Sequence, residues 1–194
     1  MNPRTLIAVL VAAAPALGAG FQFSSTASSK SPDGKWTLIY KSPPDSDSDA
    51  RRVILLKRIH RRSIELRRID RSCDALWSPD SSRIAVTDWW ASDTSDIFIY
   101  SVGERISCRS VRNLFLKNAI PEVELRGHCY FEAREWLSPR RLQIKISGHT
   151  DEAPVYLFER HYIFDLKSGE FAKIKKKKPN QSARRAGGRP VCSE

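Results

Sequence analysis

The sequence lacks several features that identify common classes of enzyme or membrane protein. It contains no GxSxG elbow for a serine nucleophile, no Gly-rich loop to cradle a phosphate group, and no CxxC pair typical of zinc binding. Its apolar stretch at residues 6–17 is interrupted by Pro15 and falls short of the roughly 20 residues needed to cross a bilayer as a helix. These absences argue against a typical α/β-hydrolase, a P-loop enzyme, a zinc finger and a helical membrane protein.

The first twenty residues, MNPRTLIAVLVAAAPALGAG, run from a basic start at Arg4 through the apolar stretch into small residues. This layout predicts a secretory signal peptide over residues 1–20, with cleavage after Gly18 or Gly20, in a periplasmic or secreted protein. A retained anchor is the alternative. The rest of the chain is long enough for one domain with a substantial core, predicted over residues 21–174.

All four cysteines, Cys73, Cys108, Cys129 and Cys192, follow the predicted leader, so in an exported protein they meet an oxidising compartment. They allow two bridges in three pairings. Cys108 and Cys129 bracket a single connection, which makes them the first candidate for a disulfide. Buried thiols without bridges are the alternative.

The net charge of +11 is concentrated in two zones. Residues 51–71 hold nine Lys or Arg against two acids, and residues 172–194 hold eight against one. The rest of the mature chain is net negative. This distribution predicts a near-neutral body with two basic zones, and no sequence-specific nucleic-acid binding.

One short motif recurs along the chain. SPDGKWTLIY begins at Ser31, WSPDSSRIAVT places the matching serine at position 78, and WLSPRRLQIKI places it at position 138. Proline presets φ in such a turn, aspartate accepts backbone hydrogen bonds, and Gly34 tolerates positive φ. Alternating apolar residues follow each turn, which predicts a strand.

Further apolar runs divide the chain into three units, about residues 21–70, 71–112 and 128–174. Each unit is predicted to be a four-stranded antiparallel meander, with middle strands that are apolar on both faces because neighbouring sheets stack. The stretch 111–128 is interpreted either as a hidden fourth unit or, alternatively, as a short helix and a loop. Residues 175–194 are predicted to form a disordered basic tail.

The SPDG turn, an apolar strand, an acidic loop and a second apolar strand together resemble the repeats of TolB-like and WD-repeat-like β-propellers. The resemblance covers about residues 30–174, although Arg140 and Arg141 replace Asp and Gly in the third motif. It implies an all-β fold of three four-stranded antiparallel blade-like sheets. Propellers have at least four blades, so the stack is expected to be partial or open, or completed by a homo-oligomer.

Two groups of basic residues are candidate binding sites. The first lies in 51–71, which we interpret as a hairpin with Glu65 and Arg67 facing outwards, and alternatively as a basic amphipathic helix on a membrane. The second is the tail. A solvated surface that only confers solubility is the alternative for both. The candidate residues are Arg61, Arg62, Arg67, Arg68, Lys175, Lys176, Lys177 and Lys178.

Trp89 and Trp90 precede a loop rich in Asp and Ser, where they could stack on a sugar or grip a partner chain. Wedging between neighbouring blades is the alternative.

Ser147, His149 and Asp151 lie at alternate positions and include the residue types of a catalytic triad, and His149, Asp151 and His161 include metal-ligand types. Neither pattern is specific, so we expect no catalytic residues, no metal and no cofactor.

The sequence therefore predicts an exported non-catalytic interaction protein that binds a protein or an acidic envelope polymer, with peripheral membrane contact as a further option. The alternative hypothesis is a hydrolase or glycan-processing enzyme, or an accessory to one. TolB-like blades occur as non-catalytic companions of serine peptidase domains, which is what the resemblance implies for this alternative.

Overall fold

The computed structural model describes residues 20–21, 26–41, 52–59, 61–118, 127–151 and 153–174. These residues are mainly β-strand, with a single short helix among them. In chain order the elements are β1 (Gly20–Phe21), β2 (Thr26–Lys30), β3 (Trp36–Lys41), β4 (Arg52–Arg58), β5 (Ser63–Ile69), β6 (Ser72–Trp77), β7 (Arg83–Trp89), β8 (Asp96–Ser101), β9 (Ser107–Ser110), α1 (Val111–Lys117), β10 (His128–Ser138), β11 (Arg141–His149), β12 (Leu157–Asp165) and β13 (Phe171–Lys173).

Twelve of the strands form three antiparallel meanders, which confirms the predicted fold class. Sheet I has the order β2-β3-β4-β5, sheet II the order β6-β7-β8-β9, and sheet III the order β10-β11-β12-β13. The two-residue strand β1 pairs with β6 and extends sheet II by one edge strand. The described part of the chain is thus an open, propeller-like stack of three blade-like sheets.

Sheet II lies between the other two sheets and is buried on both faces. On β7, Ile84 and Val86 join the core shared with sheet I, whereas Ala85 joins the core shared with sheet III. Because both faces are covered, β7 has five consecutive buried residues, 84–88, and does not alternate between buried and exposed residues. The two cores are separate, so the middle sheet links two otherwise independent apolar layers.

The SPD turns of sheets I and II have the same hydrogen bonds. Ser31 Oγ donates to Asp33 Oδ1 at 2.7 Å and accepts from the backbone N–H of Trp36 at 3.0 Å. Ser78 Oγ donates to Asp80 Oδ1 at 2.7 Å and accepts from the N–H of Arg83 at 2.9 Å. The first hydrogen bond lowers the pKa of Asp33, since it stabilises the ionised carboxylate. The third turn is shorter, with only Pro139 and Arg140 between β10 and β11.

Tryptophan side chains connect each sheet to the one before it. The indole Nε1–H of Trp77 donates to the carbonyl O of Ser29 at 3.3 Å, and that of Trp136 donates to the carbonyl O of Leu76 at 3.2 Å. Ser29 and Leu76 each lie two residues before the serine of an SP turn. The two sheet-to-sheet contacts are therefore repeats of one interaction.

The segment after β9 begins with a short helix, α1, which is the second of the two alternatives for this stretch. Ser110 caps its N-terminus by accepting from the N–H of Asn113 at 3.0 Å, and buried Asp96 accepts from the N–H of Arg112 at 2.9 Å. Phe115 is fully buried in the core between sheets II and III. Its ring makes edge-to-face contacts with the rings of Phe131, Tyr162 and Phe171. The helix thus closes the wedge between sheets II and III.

The hairpin of β4 and β5 confirms strands over 52–69 but corrects the direction of one side chain. A β-bulge at Leu66 shifts the register, so that Glu65 pairs with Leu55 whereas Arg67 pairs with buried Ile54. Arg67 therefore points towards sheet II and not outwards as simple alternation predicted.

The structure does not contain the disulfide expected between Cys108 and Cys129. Cys108 pairs directly with Tyr100, so its side chain lies on the face of sheet II that meets sheet I. Cys129 is fully buried in the core between sheets II and III. The two sulfur atoms are on opposite sides of sheet II and cannot meet. Cys192 lies outside the described residues.

No helix among the residues described here is both long and apolar enough to cross a membrane. The predicted leader at 1–20 lies almost entirely outside the described residues, as does the predicted tail after residue 174.

We expect Trp77→Phe to lower the free energy of unfolding by about 2–3 kcal/mol, because it removes a buried hydrogen bond and part of a fully buried ring. Urea unfolding followed by far-UV circular dichroism measures this. Trp90→Phe is the control: its side chain is 46% exposed, and the change should stay within about 0.5 kcal/mol. Equal losses in the two variants would show that Trp77 does not hold the sheets together.

Candidate functional site

The positive charge of the described chain is concentrated at one end of the stack. Residues 26–41, 52–59 and 61–71, which form sheet I and its flanks, hold eleven Lys or Arg against three acids. Sheet II and α1, residues 72–118, hold five against six. Sheet III, residues 127–151 and 153–174, holds seven against six. Sheet I is therefore the one strongly basic sheet of the three.

Three of the predicted basic residues lie on the surface of sheet I. Arg61 and Arg62 are exposed in the turn between β4 and β5. Arg68 is 60% exposed and forms a surface ion pair with Glu65 at 3.0 Å. Exposed ion pairs of this kind contribute little to stability. The guanidinium groups of all three arginines are therefore open to solvent and not committed to structural contacts.

An apolar strip runs between the basic residues on the outer face of sheet I. Ile39 on β3 lies directly opposite Leu55 on β4, and Val53 lies next along the same face. These side chains are half-buried and belong to neither of the two cores. The outer face thus combines cationic and apolar groups, as a protein-binding surface often does.

Arg67, the fourth predicted arginine, makes structural contacts instead. Its Nε donates to Asp88 Oδ2 at 2.6 Å, and its guanidinium carbon lies 3.5 Å from the centre of the Phe98 ring. Burial raises the pKa of Asp88, and the hydrogen bond and charge of Arg67 only partly oppose this rise. Arg67 thus compensates a buried carboxylate between sheets I and II.

The two predicted tryptophans differ in their surroundings. Trp89 donates to Asp74 Oδ2 at 3.1 Å, and its ring lies 5.9 Å from that of Tyr130 on sheet III. This is the wedge between neighbouring sheets that we gave as the alternative. Trp90 is 46% exposed and remains available for contact. The predicted Lys175, Lys176, Lys177 and Lys178 lie outside the described residues.

Sheet III brings together a group of polar side chains that sequence reasoning separated. His128 on β10 and His149 on β11 are direct cross-strand partners, and their rings stack with centres 4.2 Å apart. Asp151 follows two residues after His149. Its Oδ1 lies 3.6 Å from His128 Nε2 and 3.7 Å from His149 Nδ1. We call these three residues the histidine cluster.

The other combinations considered from sequence do not assemble. Ser147 and His149 lie two residues apart on β11, and within the described residues no hydrogen bond joins them. His149 Nδ1 instead lies 3.3 Å from the carbonyl O of Thr150 and 3.7 Å from Asp151 Oδ1. His161 is on β12, where its Nε2 contacts Glu159 Oε1 at 2.9 Å. Within the described residues, the histidine cluster is the single group with metal-ligand spacing.

His128 was missed because its partner depends on the strand register. Counting back from the turn at Pro139 and Arg140 would place it opposite Asp151. Two β-bulges in β10, between Ala133 and Glu135 and between Trp136 and Ser138, shift the register by two residues. The one usable signal was the repeated Gly-His pair at 127–128 and 148–149.

No family model, no curated protein and no solved structure matches this chain.

We expect Arg67→Gln to destabilise the fold by about 2–4 kcal/mol at pH 7, because it leaves the buried Asp88 carboxylate without its counter-charge. The pKa of Asp88, already raised by burial, then rises further. A raised folded-state pKa means that stability falls as pH increases through it, so the loss should be smaller near about pH 4 than at pH 7.

Urea unfolding at both pH values tests this prediction. Arg68→Gln removes the same charge from an exposed position and is the matched control, with an expected change within about 0.5 kcal/mol. The double variant Arg67→Gln with Asp88→Asn should recover part of the loss. A loss that is independent of pH, or unaffected by Asp88→Asn, would contradict the assignment of Arg67 to Asp88.

Proposed function

We propose that this protein is an exported, non-catalytic interaction protein of TolB-like blade repeats, which binds an acidic protein or an anionic envelope polymer through the outer face of sheet I. One observation carries the proposal: eleven basic residues against three acids in sheet I and its flanks, beside two nearly neutral sheets. Export is supported by the leader-like sequence of residues 1–20.

Accessible guanidinium groups on sheet I supply the chemistry for binding an anion. Arg61, Arg62 and Arg68 are exposed around one hairpin, where like charges raise the local potential. A guanidinium group binds carboxylate or phosphate through two parallel hydrogen bonds. Several such groups close together favour a polyanion over single anions. The strip of Ile39, Val53 and Leu55 adds apolar contact on the same face. In the amino-acid sequence, the lysines at 175–178 form a second basic run, which adds positive charge to the chain.

We expect the triple variant Arg61→Gln, Arg62→Gln and Arg68→Gln to bind polyglutamate and lipopolysaccharide at least tenfold more weakly than the natural chain, because it removes three accessible charges. Wild-type affinity should fall steeply between about 50 and 200 mM salt, and the variant should show a shallower dependence. Immobilised polyglutamate and co-sedimentation with lipopolysaccharide measure the protein-like and polymer partners separately.

The matched control is Arg140→Gln, Arg141→Gln and Lys167→Gln, which removes the same number of exposed charges from sheet III. If both triple variants lose equal affinity, net charge alone drives binding and the proposal for sheet I fails. Replacing the lysines at 175–178 by Gln in the natural chain shows how much of the binding belongs to the tail.

A second copy of the chain is the competing occupant of the same face. Light scattering decides this point. A stable dimer that Leu55→Glu converts to monomer would assign the outer face of sheet I to self-association, and would contradict its role in binding polyanions.

A further inference from the structure

The histidine cluster on sheet III contains three ligand types that transition metals accept. The ligand atoms of His128, His149 and Asp151 all lie within 4.8 Å of one another. Imidazole nitrogen and carboxylate oxygen are the donors of many Zn²⁺ sites, and a tetrahedral ion with bonds of about 2.0–2.1 Å holds its ligands about 3.3 Å apart. The separations of 3.6 and 3.7 Å from Asp151 Oδ1 are close to this spacing.

The hydrogen bonds of Tyr130 favour the His128 tautomer that can bind a cation through Nε2. Tyr130 has one hydroxyl proton, which it donates to the carbonyl O of Ser92 at 2.6 Å. The contact of 3.1 Å between His128 Nδ1 and Tyr130 Oη is therefore an Nδ1–H donating to the hydroxyl oxygen. In the neutral tautomer that carries this proton, Nε2 bears the lone pair and lies 3.6 Å from Asp151 Oδ1. Two acceptors that face each other repel unless a cation lies between them.

The spacing within the cluster is wider than that of a direct histidine–carboxylate hydrogen bond. A protonated imidazole bound to a carboxylate shortens to about 2.7–2.9 Å between N and O. Neither histidine of the cluster approaches Asp151 so closely, and one carboxylate oxygen is shared almost equally by the two rings. The carbonyl O of Thr150 also lies 3.3 Å from His149 Nδ1, a long hydrogen bond that a metal ion bound at Nδ1 would replace.

Two glycines bring the histidines together. A Cβ on Gly148 would lie 1.8 Å from the carbonyl O of His128, so only glycine permits this approach of β11 to β10. Gly127 has φ +77°, and a Cβ there would lie 2.6 Å from the carbonyl O of His149. The backbone at both histidines is thus built to a close spacing that no larger residue allows.

We propose that His128 Nε2, His149 Nδ1 and Asp151 Oδ1 form a binding site for a divalent transition metal ion, with Zn²⁺ as the reference ion. The three side chains are 34%, 37% and 59% exposed, so the ion enters from solvent and keeps a fourth position for water or an external ligand. Tyr130 is a positioning residue, since it holds the proton on Nδ1 and directs Nε2 at the ion. The site is independent of the basic face of sheet I.

Titration of the metal-free full chain with Zn²⁺ by isothermal calorimetry tests the site. We expect the natural chain to bind one Zn²⁺ ion. The variants His128→Gln, His149→Gln and Asp151→Asn should each weaken Zn²⁺ binding at least about tenfold. Asp151→Asn keeps the shape of an exposed side chain, so folding does not complicate its result. His161→Gln, on β12 of the same sheet, is the control and should leave the affinity unchanged.

Co²⁺ provides a second readout that a merely structural change would not alter. Bound Co²⁺ should show the intense visible bands of a four-coordinate ion, and these bands should be lost in Asp151→Asn. Binding of Zn²⁺ that is equal in the natural chain and Asp151→Asn would overturn the proposal. So would a loss in His161→Gln as large as that in His128→Gln.

Tyr130→Phe tests the proton argument separately. Without the hydroxyl oxygen, His128 loses the acceptor that fixes its Nδ1–H, and Zn²⁺ affinity should fall by about 10–100-fold while all three ligands remain. Circular dichroism checks the fold of this variant. Affinity equal to that of the natural chain, in a folded variant, would refute the role of Tyr130.

Discussion

A buried indole N–H must find an acceptor, and in this protein it finds one in the neighbouring sheet. Trp77 of sheet II donates to the carbonyl of Ser29 in sheet I, and Trp136 of sheet III donates to the carbonyl of Leu76 in sheet II. Each ring fills space between two sheets while its hydrogen bond sets their relative position. The order of the stack depends on this repeated contact, because each apolar core is completed only when the sheets are correctly placed.

Sheets I and III each have an outer face that no other sheet covers, and these two faces differ in charge. On sheet III, Glu132 forms ion pairs with Arg134 and with Lys145, the latter at 2.5 Å, so the outer face is polar and internally neutralised. On sheet I the bases greatly outnumber the acids and accompany an apolar strip. A terminal sheet needs a polar outer face only for solubility. The excess charge of sheet I goes beyond that need, and this asymmetry distinguishes the two terminal sheets.

Much of the fold could be predicted from local patterns. The SP turns and the alternating strands after them depend on neighbouring residues, so Ser31 and Ser78 could be assigned identical roles from sequence. The run from Ile84 to Asp88 could likewise be read as a strand covered on both sides. The candidate site was less predictable. Arg61, Arg62 and Arg68 could be selected from charge alone, but the inward position of Arg67 depends on a single bulge at Leu66.

The sequence by itself determined the class of fold, the number of sheets and the location of the charge, because turn chemistry, periodicity and composition act over a few residues. Only the tertiary structure decided which distant residues meet. Two bulges in β10 set His128 opposite His149, and the faces of sheet II keep Cys108 and Cys129 apart. Register and face are fixed by packing between sheets, and one added residue in a strand changes both without leaving a clear mark in the amino-acid pattern.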